Sequence, residues 1–429
     1  MSNRYRWFVA AAAILIQLCL GAAYGWSVFV KPLVKVEHWS LPAVSLTFSL
    51  AIFCLGIGTA IGGTWQDRVG PRVVCSVAGV LYGLGYFVAA AAVRNHTLPG
   101  VYLGYGVISG LGMGMGYVCP IATLVKWFPE RRGLMSGIAV CGYGMGALVM
   151  SAVAAPRIAT VGVSSTFMQL GAAYLVLVVV GAQFLRNPTQ TAAMEAAQAR
   201  SGAVEFTTRQ ALGSQQFWVL WLMLFFNVSA GIMIISQASP MAQQLAGATP
   251  VAAAGVVGVI AIFNGLGRVV WAAASDYIGR TRVFMLLFLL QACVFFALPH
   301  CQSLGLFTVV VGLVGFAYGG GFGTMPSLTA DLFGSRSMGG IYGCILLAWG
   351  CGAVPSPMLI AYVREHTGGY SAAIYGIAVV MVAAIALPLL VKPRANRSVD
   401  NVTPVSSQMV MLQAHVFNSP KVFRDGSSS

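Results

Sequence analysis

Read along the chain, apolar residues come in long blocks separated by short polar runs. Twelve blocks stand out, at about 8–30, 41–63, 73–93, 99–125, 133–155, 165–186, 215–237, 250–275, 283–299, 304–329, 338–361 and 370–391. Each approaches or exceeds the roughly 20 residues that a helix rising 1.5 Å per residue needs to cross a hydrocarbon core of about 30 Å. The pattern predicts an all-α membrane protein with twelve transmembrane helices. The first block is expected to remain in the mature chain. It is too long for a signal peptide and has no small-residue cleavage site before the polar Lys31–Trp39 loop.

The polar run over 187–214 divides the blocks six and six. The expected layout is one six-helix bundle over 1–186, a linker loop over 187–214, a second bundle over 215–392 and a disordered tail over 393–429. The halves repeat each other. Asp67-Arg68-Val-Gly70-Pro-Arg72 joins blocks two and three, and Asp276-Tyr-Ile-Gly279-Arg280-Thr-Arg282 joins blocks eight and nine. Each aspartate has a glycine three residues later. A duplicated six-span unit is the mark of a transporter built from two pseudo-symmetric halves around a midplane site.

Composition narrows the class. Apolar residues make up 58% of the chain and charged residues 8%, against about 25% charged in ordinary soluble proteins. That disfavours a soluble enzyme, a nucleic-acid binder and a secreted disulfide scaffold. The nine cysteines lie in or beside apolar blocks, without metal or disulfide spacing, and read as small packing residues. The net charge of +14 reads as loop cations that orient the chain in the bilayer. With the N-terminus inside, 18 cations fall on the inner side and five on the outer. Both termini are therefore expected in the cytoplasm.

One cation falls inside a block. Arg268 precedes Asp276, at the block's inner end, by eight residues, which puts it roughly 12 Å deep. A charge there costs about 2.5–3.5 kcal/mol even on lenient insertion scales. It either receives a carboxylate substrate on its planar fork or sits in a structural ion pair. No block interior contains an Asp or Glu, so the substrate role is the expectation. Asn264, four residues earlier on the same helix face, either orients Arg268 or contacts substrate, or makes an ordinary interhelical hydrogen bond. The glycine runs Gly110–Gly116 and Gly319–Gly321 lie inside apolar blocks with no strand before them, and read as packing surfaces rather than nucleotide loops. The absence of a Walker motif excludes an ATP-driven pump, and no His/Asp/Glu cluster supports a membrane enzyme. No cofactor or metal is expected.

The loop Gly63-x-x-x-Asp67-Arg68-x-Gly70-x-Arg72 resembles the signature of the major facilitator superfamily. Trp127-Phe128-Pro129-Glu130-Arg131-Arg132-Gly133 resembles the span-five entry of monocarboxylate transporters and bacterial oxalate/formate antiporters. Gln216-Phe217-Trp218-Val219-Leu220-Trp221 resembles the antiporters' span-seven opening, and Phe263-Asn264-Gly265 with Arg268, Trp271, Ser275 and Asp276 resembles span eight of both groups. The resemblance covers the chain up to about residue 392. It implies a monomeric secondary transporter in a bacterial inner membrane, moving a small carboxylate anion with a proton. Lactate or pyruvate is the leading cargo, and exchange of the oxalate/formate type is the rival.

The resemblance also implies site residues. Trp349 stands where oxalate exchangers carry a lysine, which leaves a single buried cation and favours a monoanion; the alternative is a packing or lipid-facing tryptophan. Tyr117 and Tyr143 match site tyrosines, Tyr318 replaces a tryptophan, and Tyr24 and Trp26 stand where related proteins carry aromatic contacts. Packing is the alternative for each. Lys31 is expected to snorkel to the outer interface. Asp67, Arg68, Arg72, Asp276, Arg280 and Asp331 are expected to latch the inner gate through charge pairs and helix-end contacts.

Overall fold

A computed structural model describes residues 5–188 and 205–392. The expected disordered tail, and most of the linker, lie outside the described residues. Among the described residues, eleven helices are long and apolar enough to cross a membrane. The 54-residue Pro129–Ala182 helix holds two of the expected spans. It breaks at Gly162, where φ is 81°, a conformation that costs a glycine nothing and strains any other residue. Twelve crossings result, in two six-helix bundles.

In chain order the spans are as follows. Span 1 runs from Tyr5 to Glu37 in three pieces, Tyr5–Leu20, a 3₁₀ turn at Gly21–Gly25, and Ser27–Glu37. Spans 2, 3 and 4 are Leu41–Val69, Pro71–Arg94 and Leu98–Trp127, and spans 5 and 6 share Pro129–Ala182. Spans 7 to 10 are Gln215–Ala246, Pro250–Ile278, Arg280–Ala297 and Leu304–Phe333. Spans 11 and 12 are Met338–Thr367 and Ser371–Leu390. The Lys31–Glu37 stretch is helical, where the sequence pattern predicted a loop; its charged residues continue span 1 past the apolar block. At the other end of the linker, a capping box on Thr207 and Gln210 starts the short helix Thr208–Leu212.

Local sequence explains most helix ends. Ser40, Ser214, Thr249 and Ser303 cap spans 2, 7, 8 and 10 with their hydroxyls. Gly70 and Gly279 stop spans 2 and 8 at φ 90° and 93° and let spans 3 and 9 start at once. The two turns of the internal repeat thus share one backbone conformation.

With an even number of crossings, Tyr5 and Lys392 lie on the same face of the protein; there Tyr5 Oη donates to Phe184 O and Lys392 N donates to Gln216 Oε1. On this terminal face the halves touch closely through small residues. A methyl group added to Gly63 on span 2 would sit 2.0 Å from Gly339 O on span 11, and one on Gly133 of span 5 would sit 2.1 Å from Ala272 O on span 8. Further along both seams the gap widens. A methyl on Gly350 finds Gly56 Cα at 3.9 Å, and one on Gly144 finds Arg268 Nε at 3.6 Å. The halves are closed together at the terminal face and packed less tightly at mid-span.

Candidate functional site

Arg268 sits midway along span 8 with 1% exposure, the one fully buried charged side chain among the described residues. Its Nε donates to Asn264 Oδ1 at 2.9 Å and its Nη1 donates to Val140 O of span 5 at 2.8 Å. Nη2 is buried and has no hydrogen-bond partner among the described residues. No carboxylate among those residues pairs with it. The guanidinium Cζ lies 5.4 Å from the ring centre of Phe322, where the ring quadrupole offsets part of the cost of burying the charge.

Aromatic rings surround this cation from both halves. Trp349 on span 11 is the hub. Its ring lies 4.9 Å from Phe322, 6.1 Å from Tyr24, 6.0 Å from Tyr117 and 6.1 Å from Tyr143. Tyr143 packs edge-on to Tyr117 at 4.9 Å and to Tyr24 at 5.3 Å. Tyr318, one turn before Phe322, packs against it with the rings tilted at 5.2 Å and presses against Gly231 of span 7. Trp26 faces elsewhere, into Tyr105 and Phe167 of the first bundle.

Helix irregularities place these side chains. Tyr24 stands in the 3₁₀ turn of span 1, and the Tyr82 and Tyr105 hydroxyls bond Cys19 O and Ala23 O around that turn. Tyr117 precedes Pro120, and Gln17 Nε2 of span 1 holds its carbonyl at 3.0 Å. Span 11 breaks at Leu346, whose carbonyl accepts from Trp349 N at 2.9 Å. Short non-α segments of this kind mark functional hinges.

The hydroxyls of Tyr24, Tyr117, Tyr143 and Tyr342 and the indole Nε1 of Trp349 are buried with no partner at full hydrogen-bond geometry among the described residues; Tyr24 faces Arg268 and Tyr318, and Tyr117 faces Tyr342. Each unsatisfied buried donor costs about 1–3 kcal/mol. Together with Arg268 Nη2 they form a donor-rich aromatic cluster drawn from both halves. Phe322 and Tyr342 did not stand out in the sequence. Helical spacing was the available signal, since Phe322 follows Tyr318 by four residues and Tyr342 precedes Trp349 by seven.

The charged residues expected at the gate occupy the terminal face. Asp67, from the end of span 2, accepts from Gly339 N at 3.2 Å and Gly340 N at 2.6 Å, at the N-terminus of span 11. Asp276, from the end of span 8, accepts from Gly133 N at 3.0 Å and Leu134 N at 2.9 Å, at the start of span 5. Each aspartate caps a helix of the other half, where its charge also meets the positive end of the helix dipole. Lys126 lies 3.7 Å from Asp67. Arg280 bonds Asp276 and Asp331 at 2.6 and 3.1 Å, and Arg132 reaches Asp331 at 3.0 Å. Two of the expected gate residues are not drawn in. Arg72 donates to Gln183 within its own half at 2.7 Å, and Arg68 is exposed. No group of His, Cys, Asp and Glu among the described residues has metal-site geometry.

Comparison with known proteins gives a consistent picture. The family model described as Major Facilitator Superfamily matches residues 13–343 and 247–424. The uncharacterized MFS-type transporter YhjX of Escherichia coli is 32% identical over 358 residues, covering 82% of this chain and 87% of its own. An oxalate:formate antiporter of Oxalobacter formigenes is 28% identical, covering 94% and 95%. The apicoplast pyruvate carrier 1 of Toxoplasma gondii is 26% identical, covering 67% and 64%. Among solved structures, the proton:xylose symporter XylE superposes with a TM-score of 0.72 at 17% identity, covering 93% of this chain and 98% of its own. That last likeness concerns the fold.

Proposed function

The chain belongs to the Major Facilitator Superfamily and is a multi-pass membrane transporter; from that premise we propose that it carries a small monocarboxylate of the lactate or pyruvate type together with a proton, by alternating access. The observation that carries this reading is the state of Arg268. It is a buried guanidinium with one nitrogen unpaired and no carboxylate partner among the described residues. One buried positive charge balances a monoanion, and planar nitrogens match a carboxylate. The ring walls suit a short apolar tail. The relatives named for oxalate and formate and for pyruvate support a small carboxylate as cargo.

The mechanism follows from where the site's parts come from. Tyr24, Tyr117 and Tyr143 belong to the first half; Arg268, Asn264, Tyr318, Phe322 and Trp349 belong to the second. An anion bound between them neutralises Arg268 and draws the halves together on the open side. The Asp67 and Asp276 caps then break, and the terminal face opens. We place that face in the cytoplasm of a bacterial cell, with both termini inside, on the excess of cations in its loops. The unit that works is the monomer.

The similarity to the oxalate:formate antiporter favours a second reading, anion exchange. Uptake into proteoliposomes separates the two. Symport responds to an imposed pH gradient, whereas exchange requires a loaded counter-anion. Failure to take up any monocarboxylate under either condition rejects the substrate assignment.

A further inference from the structure

More donors converge on Arg268 than a carboxylate can use. Besides Arg268 Nη2, four tyrosine hydroxyls and the Trp349 indole Nε1 are buried with no partner at full hydrogen-bond geometry among the described residues. A carboxylate accepts about four hydrogen bonds, and the guanidinium with two tyrosines fills them. The tyrosines differ from the tryptophan in one respect. A phenol hydroxyl turns about its C–O bond and accepts as well as donates, so tyrosines can satisfy each other or a water. An indole N–H only donates, and the ring fixes its direction.

The Trp349 ring is held on several sides. Phe322 packs edge-on at 4.9 Å, and Tyr24, Tyr117 and Tyr143 lie within 6.1 Å. Its backbone is pinned by the bond to Leu346 O at the break in span 11. Phe322 touches both the indole and, at 5.4 Å, the Arg268 guanidinium. Phe322 thus bridges the indole ring, whose Nε1 is unpartnered among the described residues, and the Arg268 guanidinium.

We propose that Trp349 is the residue that selects 2-oxo and 2-hydroxy monocarboxylates over their unsubstituted analogues. Arg268 takes the carboxylate, and Trp349 Nε1 donates to the oxygen on the adjacent carbon. This rests on the monocarboxylate reading of the site. A 2-oxo oxygen and a 2-hydroxy oxygen both accept, so pyruvate and lactate satisfy the indole equally. Propionate, which has the same three carbons, leaves it unpaired. An unpaired buried donor lowers affinity roughly 5- to 150-fold.

The test is uptake of pyruvate, L-lactate and propionate into proteoliposomes by the full-length wild-type protein and by W349F, compared as kcat/KM. The wild type is expected to prefer pyruvate and lactate over propionate by about tenfold or more. W349F removes the donor and keeps an aromatic ring, so it should bring that ratio near unity. Where W349F fails to reach the membrane, benzothienylalanine at position 349 keeps the indole shape without its N–H and should give the same collapse. A wild type that carries propionate as well as lactate overturns this proposal and leaves the monocarboxylate reading standing. So does a ratio unchanged by loss of the N–H. A wild type that carries none of the three overturns both.

Discussion

Arg268 Nε and Asn264 Oδ1 meet at 2.9 Å, one turn apart on span 8. The amide holds the guanidinium by its edge and carries no charge to cancel it. The Val140 carbonyl holds Nη1 from the other half at 2.8 Å. The cation is thus fixed in place yet has no carboxylate partner among the described residues.

Removing the cation should remove transport. Arg268→Ala is expected to lower uptake about 100-fold or more, the scale set by leaving a buried charged partner unpaired, with normal membrane expression. Arg268→Lys should also be poor, because an ammonium cannot bond Asn264, Val140 O and substrate from one plane. Initial uptake rates, normalised to protein in the membrane, check both.

Asn264→Asp should turn the receptor into an ion pair. At neutral pH the introduced carboxylate is charged and competes with substrate for Arg268, so KM is expected to rise about tenfold, as a coupling of about 1.4 kcal/mol would give. Acid protonates that carboxylate and frees the cation, so KM should fall back as pH is lowered. KM measured across pH, against the wild-type profile, decides it.

The latch predicts a shift in which face is open. Asp67→Asn and Asp276→Asn each weaken two charge-assisted hydrogen bonds to a helix of the opposite half. Each should move the conformational balance toward an open terminal face by about tenfold or more. Ser327 reports on this. It is fully buried, and its hydroxyl meets Ser136 across the seam at 3.1 Å. A cysteine placed there, in a background without the native cysteines, should react faster with a thiol reagent in either latch mutant.

Gly63→Val tests the same closure by bulk. Even a methyl would lie 2.0 Å from the Gly339 carbonyl, so the terminal face should fail to shut and uptake should fall. The Ser327 cysteine reporter should again become reactive. Gly350→Ala, whose added methyl meets nothing closer than 3.9 Å, should transport normally.

What the sequence revealed depended on how local the signal was. Each span is a contiguous apolar run, so its existence is written in order along the chain. Arg268 stood out because a charge inside such a run has no local explanation. The repeat of Asp67 and Asp276 was visible as spacing, and the matching φ of Gly70 and Gly279 gives its physical basis. Other features depend on contacts between helices. Nothing near Phe322 says that Arg268 lies over it, and nothing near Val140 says that its carbonyl is taken. Arg72 looked like its neighbours in the loop motif, yet it bonds Gln183 in its own half. The helical Lys31–Glu37 stretch escaped the pattern because polarity marks where a helix leaves the apolar core, not where it ends.

In the proposed cycle the proton couples to transport without a dedicated acidic carrier. No Asp or Glu lies in the interior of an apolar block, and Asn264, the side chain bonded to Arg268 Nε, is uncharged. The substrate's own charge is then the coupling element. Without it, Arg268 is an unmatched cation in a low-dielectric interior, and rearranging helices around such a charge is unfavourable. A bound monoanion removes that barrier and lets the halves rock. The caps formed by Asp67 and Asp276 must then break, which exposes two carboxylates and the amides they held. A proton that travels with the anion keeps each turnover neutral. The expected outcome is electroneutral uptake with 1:1 stoichiometry, accelerated by acid on the substrate side and insensitive to membrane potential. Proteoliposomes with independently clamped pH and potential measure each quantity. Inward current during uptake contradicts the stoichiometry. Uptake that ignores the pH gradient but needs an internal anion assigns the chain to exchange.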